Sequence, residues 1–151
     1  MISMSKVLLI GRPDIHSKRF QELLGSKYIV DFIDENYFAN QISTIISHSD
    51  ITLIIILGIS ELIIELQKVS SKSLIAVSMG YDLNYLEISD VMESALQKCD
   101  GLIVDCNLHY KLLRRKVIEK DKLLQCAYGC EVRLFSTNSP EHSSRLNILI
   151  N

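Results

Sequence analysis

Ile51-Thr52-Leu53-Ile54-Ile55-Ile56-Leu57 is the stretch that decides the fold. Its residues are aliphatic apart from Thr52, mostly β-branched, and lack the in-out alternation of a strand that shows one face to water. A continuous apolar run of this length, closed by Gly58, reads as a strand buried on both faces, the environment of a parallel sheet covered by helices.

The pattern repeats outward in both directions. Towards the N-terminus, Lys6–Ile10 (KVLLI) and Tyr28–Ile33 read as strands. Between them Asp14 is placed to cap a helix that runs to Leu24 and stops at Gly25, with Phe20, Leu23 and Leu24 inward. A looser helix over Tyr37–Ser47 leads to the central strand. Towards the C-terminus, Ser60 caps a helix with Leu62, Ile63, Leu66 and Val69 as its apolar face. Strands follow at Leu74–Ser78, Gly101–Asp105 and Leu123–Ala127. The helices between them carry Val91, Met92, Ala95, Leu96 and Cys99 behind a Ser89 cap, and then Leu108, Leu112, Leu113 and Val117. Strand and helix alternate with short connections, so the expected fold is α/β, a Rossmann-like doubly wound parallel sheet of about six strands with helices on both faces. Residues 1–135 read as that domain. Ser136–Ser144 reads as a linker, and Leu146–Ile150 as the start of a further strand.

Composition narrows the function classes. The chain has 151 residues, 48% hydrophobic and 23% charged, with a formal net charge of -2. That balance gives no basic surplus for nucleic acid. No run approaches the roughly 18 apolar residues of a membrane span, and MISMSK does not resemble a signal peptide, so a cytoplasmic protein is expected. The four cysteines, Cys99, Cys106, Cys126 and Cys130, form no CxxC pair. They read as small buried hydrophobes, with no metal and no disulfide.

In a doubly wound sheet ligands bind beyond the carboxyl ends of the strands. Those ends are Gly11–His16, Gly58–Glu61, Ser78–Asp82 and Cys106–Asn107. The turn Gly11-Arg12-Pro13 stands where a phosphate loop would, without GxGxxG or GKS/GKT. A free helix N-terminus there can still receive an anion, with Arg12 adding a charged fork; a tight turn with a surface arginine fits equally. His16 sits in the first helical turn, as a packing or capping residue or as a polar group at the mouth of the sheet. Gly80-Tyr81-Asp82 allows close backbone approach, and Asp82 either accepts hydrogen bonds from sugar hydroxyls or holds its own loop. Lys111–Lys122 carries six basic and two acidic residues, a local surplus of +4. It reads as a solvated face or as a peripheral contact with anionic lipid.

Four segments suggest a family. Ile15-His16-Ser17-Lys18-Arg19-Phe20 resembles the start of the first helix in the retaining family-four glycosyltransferases, which have the two-domain GT-B fold. Cys99-Asp100-Gly101-Leu102-Ile103-Val104 resembles their "aDxii" strand, with Cys106 where a serine usually follows. Lys122-Leu123-Leu124, then Ala127-Tyr128-Gly129-Cys130-Glu131 and Phe135, resembles their "kixvixyGvDxxxF" segment, with Glu131 for the usual aspartate. Leu146–Ile150 is similar to the opening strand of their C-terminal domain. Met79 stands where many relatives have a histidine, and a thioether cannot donate that histidine's hydrogen bond.

The resemblance implies the acceptor-side N-terminal domain of an enzyme that moves a sugar from a nucleotide-sugar donor to a saccharide or lipid-linked acceptor, with no further cofactor. It implies Gly11, Arg12, His16, Gly80, Tyr81 and Asp82 as cleft residues. It implies a C-terminal domain beyond Asn151 that grips the nucleotide, without which these residues alone would be inactive. The alternative is a stand-alone receiver-like binding or signalling module. Gly11-Arg12 and Leu57-Gly58 occupy the positions where a receiver needs carboxylates, which disfavours phosphotransfer. The missing glycine fingerprint also predicts that calorimetric titration with adenine dinucleotides and S-adenosylmethionine detects no binding; a micromolar dissociation constant for either would overturn this exclusion.

Overall fold

The computed structural model describes residues 5–38, 44, 46, 50–84, 88–116 and 118–126. Within them the order is β1 (Lys6–Gly11), α1 (Ile15–Gly25), β2 (Ile29–Asp34), α2 (Glu35–Phe38), β3 (Ile51–Leu57), α3 (Leu62–Val69) and β4 (Ser73–Val77). Then follow α4 (Tyr81–Asn84), α5 (Asp90–Lys98), β5 (Gly101–Val104), α6 (Asn107–Arg115), a 3-10 turn (Lys120–Lys122) and β6 (Leu123–Gln125). The six strands form one all-parallel sheet in the order β2-β1-β3-β4-β5-β6.

The expected α/β architecture is the one observed, and the central run explains it. In β3, Ile54 and Ile56 face one way and Ile55 and Leu57 the other, and all four are buried. The first pair joins Leu8, Ile10, Ala76, Leu102 and Val104 against Ile63 and Leu66 of α3, Met92, Ala95 and Leu96 of α5, and Leu113 of α6. The second joins Val7, Leu9 and Val77, with Phe20 and Leu24 of α1 packed on them. A strand apolar on both faces can be satisfied only by helices on both sides, and parallel pairing supplies them as crossovers. The chain leaves β1 towards β2 across one face and leaves β3 towards β4 across the other, so the direction of winding reverses between β1 and β3.

Several details differ from the sequence reading. Gly25 is the last residue of α1, and the N–H groups of Lys27 and Tyr28 close its end by donating to Leu24 O, both at 2.9 Å. The N-cap of α3 is Glu61, without a side-chain bond; Ser60 contributes its carbonyl, accepting from Ile63 N at 3.1 Å. Ser89 does cap α5, accepting from Met92 N. Leu23, Val69, Val91 and Leu108 are exposed, because each helix turns a stripe narrower than its apolar content towards the sheet. In α6 that stripe is His109 and Leu113. Of the loose Tyr37–Ser47 helix, Tyr37 and Phe38 (the end of α2), Thr44 and Ile46 are helical, and the remainder lies outside the described residues. So do Val117, Ala127, the linker, the boundary at 135 and the strand at Leu146–Ile150.

Of the cysteines, Cys99 fits the buried-hydrophobe reading. Burial, with Asp100 close by, pushes its thiol up to about 12. Cys106 is half-buried and Cys126 exposed, so that reading does not extend to them; Cys130 lies outside the described residues. Asp100 itself ties two strands at their amino ends: its carboxylate accepts from Leu74 N at 2.8 Å, and its N–H donates to Leu74 O at 2.9 Å.

Ile56 has 1% of its surface exposed and sits in the central strand. Ile56→Ala is expected to lower the free energy of unfolding in urea by about 2–5 kcal/mol. Val91→Ala, on the exposed face of α5, is expected to change it by no more than about 0.5 kcal/mol.

Candidate functional site

The carboxyl edge is assembled from four loops that the strand order brings side by side. The loop after β1 meets the loop after β3 at the point where winding reverses, which is where a doubly wound sheet opens a crevice. Gly11 closes its floor: a Cβ on it would lie 2.9 Å from Leu57 Cβ, so only glycine lets β1 and β3 run this close. Gly58 and Gly80 adopt φ of +117 and +87, a region glycine enters without steric cost. Each lets the chain turn off the end of its strand, Gly58 one residue and Gly80 three residues beyond it.

Asp82 joins two of these loops. Its Oδ2 accepts from Ile59 N at 2.7 Å and Met79 N at 2.9 Å, and its Oδ1 accepts from Ser78 Oγ at 2.7 Å. Ser78 is fully buried and Asp82 nearly so. Of the two roles open to Asp82, the geometry is that of the loop-holding one: both oxygens are turned into the protein, and the loops after β3 and β4 are held as one unit.

The N-terminus of α1 is closed in a similar way. Asp14 Oδ1 accepts from Ser17 N at 2.9 Å, and Asp14 N donates to Ser17 Oγ at 3.1 Å, a reciprocal capping box. A carboxylate therefore already takes one of the amides, Ser17 N, at the terminus that the sequence suggested was free to receive an anion. Arg12 is turned aside as well, its Nε donating to Glu35 Oε1 at 2.7 Å while most of its side chain stays in solvent. His16 is exposed on the first turn of α1. Arg12, His16 and Gly80 thus share the carboxyl edge, whereas Gly11 and Asp82 are structural parts beneath it. Tyr81 opens α4, and its side chain lies outside the described residues.

A cluster that sequence reasoning did not single out follows β5. His109 Nδ1 lies 2.9 Å from Asp105 Oδ1, with the imidazole only 4% exposed and the carboxylate 32% exposed. Cys106, the N-cap of α6, makes no side-chain capping bond. One ligand atom from each of Asp105, Cys106 and His109 lies within 4.8 Å of the others. Gly80 borders the cluster: a Cβ there would sit 3.0 Å from Asp105 Oδ2. The signal available in sequence was an Asp-Cys-x-x-His run at a strand-to-helix turn, which brings positions one and five together on the first helical turn.

Two concavities lie elsewhere, at the amino ends of the strands. One, of about 290 Å³, is lined by Gln67, Lys72, Lys98 and Asp100 among others. The second, of about 510 Å³, is lined by Lys6, Asp31 and Asp50 among others. There the carboxylates of Asp31 and Asp50, at 2.9 and 3.1 Å, hold Lys6 above the usual lysine range. Of the basic run, Lys111, Arg115 and Lys120 are exposed; Lys116 pairs with Glu93 at 3.2 Å and Arg114 Nη1 donates to Ile118 O. Among the described residues no helix is long and apolar enough to cross a membrane.

No protein-family model and no curated protein matches this chain.

Removing the Asp82 carboxylate would leave three donors without their acceptor, each costing about 1–3 kcal/mol when buried. Asp82→Ala is expected to destabilise the protein in urea unfolding by at least about 3 kcal/mol, with Asp82→Asn intermediate. A loss below about 1 kcal/mol would show that Asp82 does not hold these loops together.

Proposed function

We propose that the chain is the acceptor-side Rossmann-like domain of a glycosyltransferase, one that moves a sugar from a nucleotide-sugar donor to a saccharide or lipid-linked acceptor. The sheet order alone does not select this reading, because binding and signalling folds of the same winding share it. The loop chemistry favours it. The observation that carries the proposal is the capping of the Ser17 amide at the α1 N-terminus by Asp14, together with the pairing of Arg12 with Glu35. An edge built to grip a nucleotide diphosphate would keep that amide and that guanidinium open to the phosphates. This edge instead offers exposed polar side chains, which suits the hydroxyls of a sugar acceptor and leaves the donor to a second domain.

The resemblance of the Ile15–Phe20, Cys99–Val104 and Lys122–Leu124 segments to the retaining family-four transferases supports the same reading. The first of these segments forms the opening turns of α1, with His16 at the crevice. In this reading Arg12, His16 and the Gly80 loop border the acceptor, and Asp82 acts as a positioning residue that keeps the loops after β3 and β4 in register. The exposed Lys111, Arg115 and Lys120 would bring a lipid-linked acceptor's membrane within reach from the cytoplasmic side, each basic residue adding roughly 1 kcal/mol near an anionic surface.

The test uses the natural polypeptide that carries this sequence together with whatever follows Asn151. It is assayed for release of nucleoside diphosphate from a panel of nucleotide-sugars, with saccharide and lipid-linked acceptors supplied. Turnover is expected with at least one pair, and His16→Ala is expected to lower kcat/KM for the acceptor by about 10-fold or more with the circular dichroism spectrum unchanged. Absence of turnover with every pair, or a His16→Ala enzyme as active as the parent, would reject the proposal.

A further inference from the structure

The cluster at the carboxyl end of β5 uses side chains for which the glycosyltransferase reading has no role, and it has the chemistry of a metal site. We propose that Asp105, Cys106 and His109 bind a single divalent ion of the zinc class. Three observations converge. The donors are one carboxylate oxygen, one thiol sulfur and one imidazole nitrogen, a mixed set that suits a borderline cation such as Zn²⁺ or Co²⁺. Hard Ca²⁺ and Mg²⁺ take all-oxygen shells, so the set discriminates against them.

The second observation is distance. Around a tetrahedral zinc ion, with bonds of about 2.0–2.3 Å, neighbouring ligand atoms stand roughly 3.4–3.6 Å apart. Here the three atoms already fall within 4.8 Å of one another, and the Asp105–His109 pair stands at 2.9 Å. An ion entering between that pair takes the place of the shared proton, which leaves to solvent or moves to Nε2 as the imidazole changes tautomer, and opens the contact by about 0.5 Å, a small side-chain rotation. The third observation is the setting. His109 is held almost completely buried on the first turn of α6, and Asp105 is bordered by the side-chain-free Gly80. The Cys106 thiol has no capping bond to give up. Asp105 and Cys106 are partly exposed, so an ion has an entry path and a fourth ligand position can hold water. Three protein ligands with one open position is the arrangement of an exchangeable or reactive site.

Binding is proton-coupled. The thiol of Cys106 gives up its proton as the metal–sulfur bond forms, and the proton passes to solvent. Titration of the 151-residue chain with Co²⁺ is expected to give one ion per chain, near-ultraviolet thiolate-to-cobalt charge transfer, and visible bands of tetrahedral intensity. Zn²⁺ should displace the cobalt; added to the metal-free chain, it should raise Tm and release protons to a weakly buffered solution. Cys106→Ser is a safe variant for folding, because serine is a favoured N-cap. It should abolish the charge-transfer band, and Asp105→Asn should weaken Zn²⁺ binding by roughly 10–100-fold. Persistence of the band in Cys106→Ser would assign the metal to another cysteine and overturn the proposal. So would a Zn²⁺ affinity equal in the parent and both variants, or no binding at micromolar Zn²⁺. Because these readouts are spectroscopic and thermal, their outcome is separable from that of the transferase assay.

Discussion

Burial of β3 and its neighbour β1 on both faces is the constraint from which the remaining structure follows. Leu8–Ile10 and Ile54–Leu57 are buried, so the amides and carbonyls there find their partners within the sheet. Parallel pairing on both sides achieves this, and each parallel pair demands a crossover that covers a face. The helices are therefore the means by which the sheet is kept dry. Polar chemistry is pushed to the only places left for it, the two ends of the strands.

At those ends two carboxylates, one buried and one exposed, do matching work. Asp100 ties the beginnings of β4 and β5, and Asp82 ties the loops that leave β3 and β4. In each case a backbone N–H that the ladder can no longer reach is given a charged acceptor, a bond stronger than its neutral counterpart. This keeps a tight, glycine-turned edge in one conformation. It also means that an acidic residue at the mouth of the sheet does not have to face a ligand.

The same economy governs charge along the carboxyl edge. Asp14 answers the dipole of α1 from within the chain, and Glu35 answers Arg12. One amide of the α1 N-terminus and the Arg12 guanidinium at this edge thus already hold partners from within the chain. Further along the edge, beyond β5, an imidazole, a thiol and a carboxylate gather on one turn. The edge thus presents two chemically distinct regions separated by the Gly80 loop.

Much of the architecture was legible in the sequence, because two-faced burial requires continuous aliphatic runs and these can be counted. The Ile51–Leu57 strand, the Asp14 and Ser89 caps and the six-strand order of elements come from local composition and spacing. Which stripe of each helix turned inward was not legible: Val91 and Leu108 are apolar yet exposed, since the choice depends on how the helix settles on a sheet built from distant segments. The roles of Asp82, Gly11 and Arg12 were undecided in sequence for the same reason, their partners lying 23 residues or more away for the Ile59 and Glu35 bonds. Local chemistry determined what each residue was able to do. Only tertiary structure, by setting distant loops edge to edge, decided which of those possibilities each one realised.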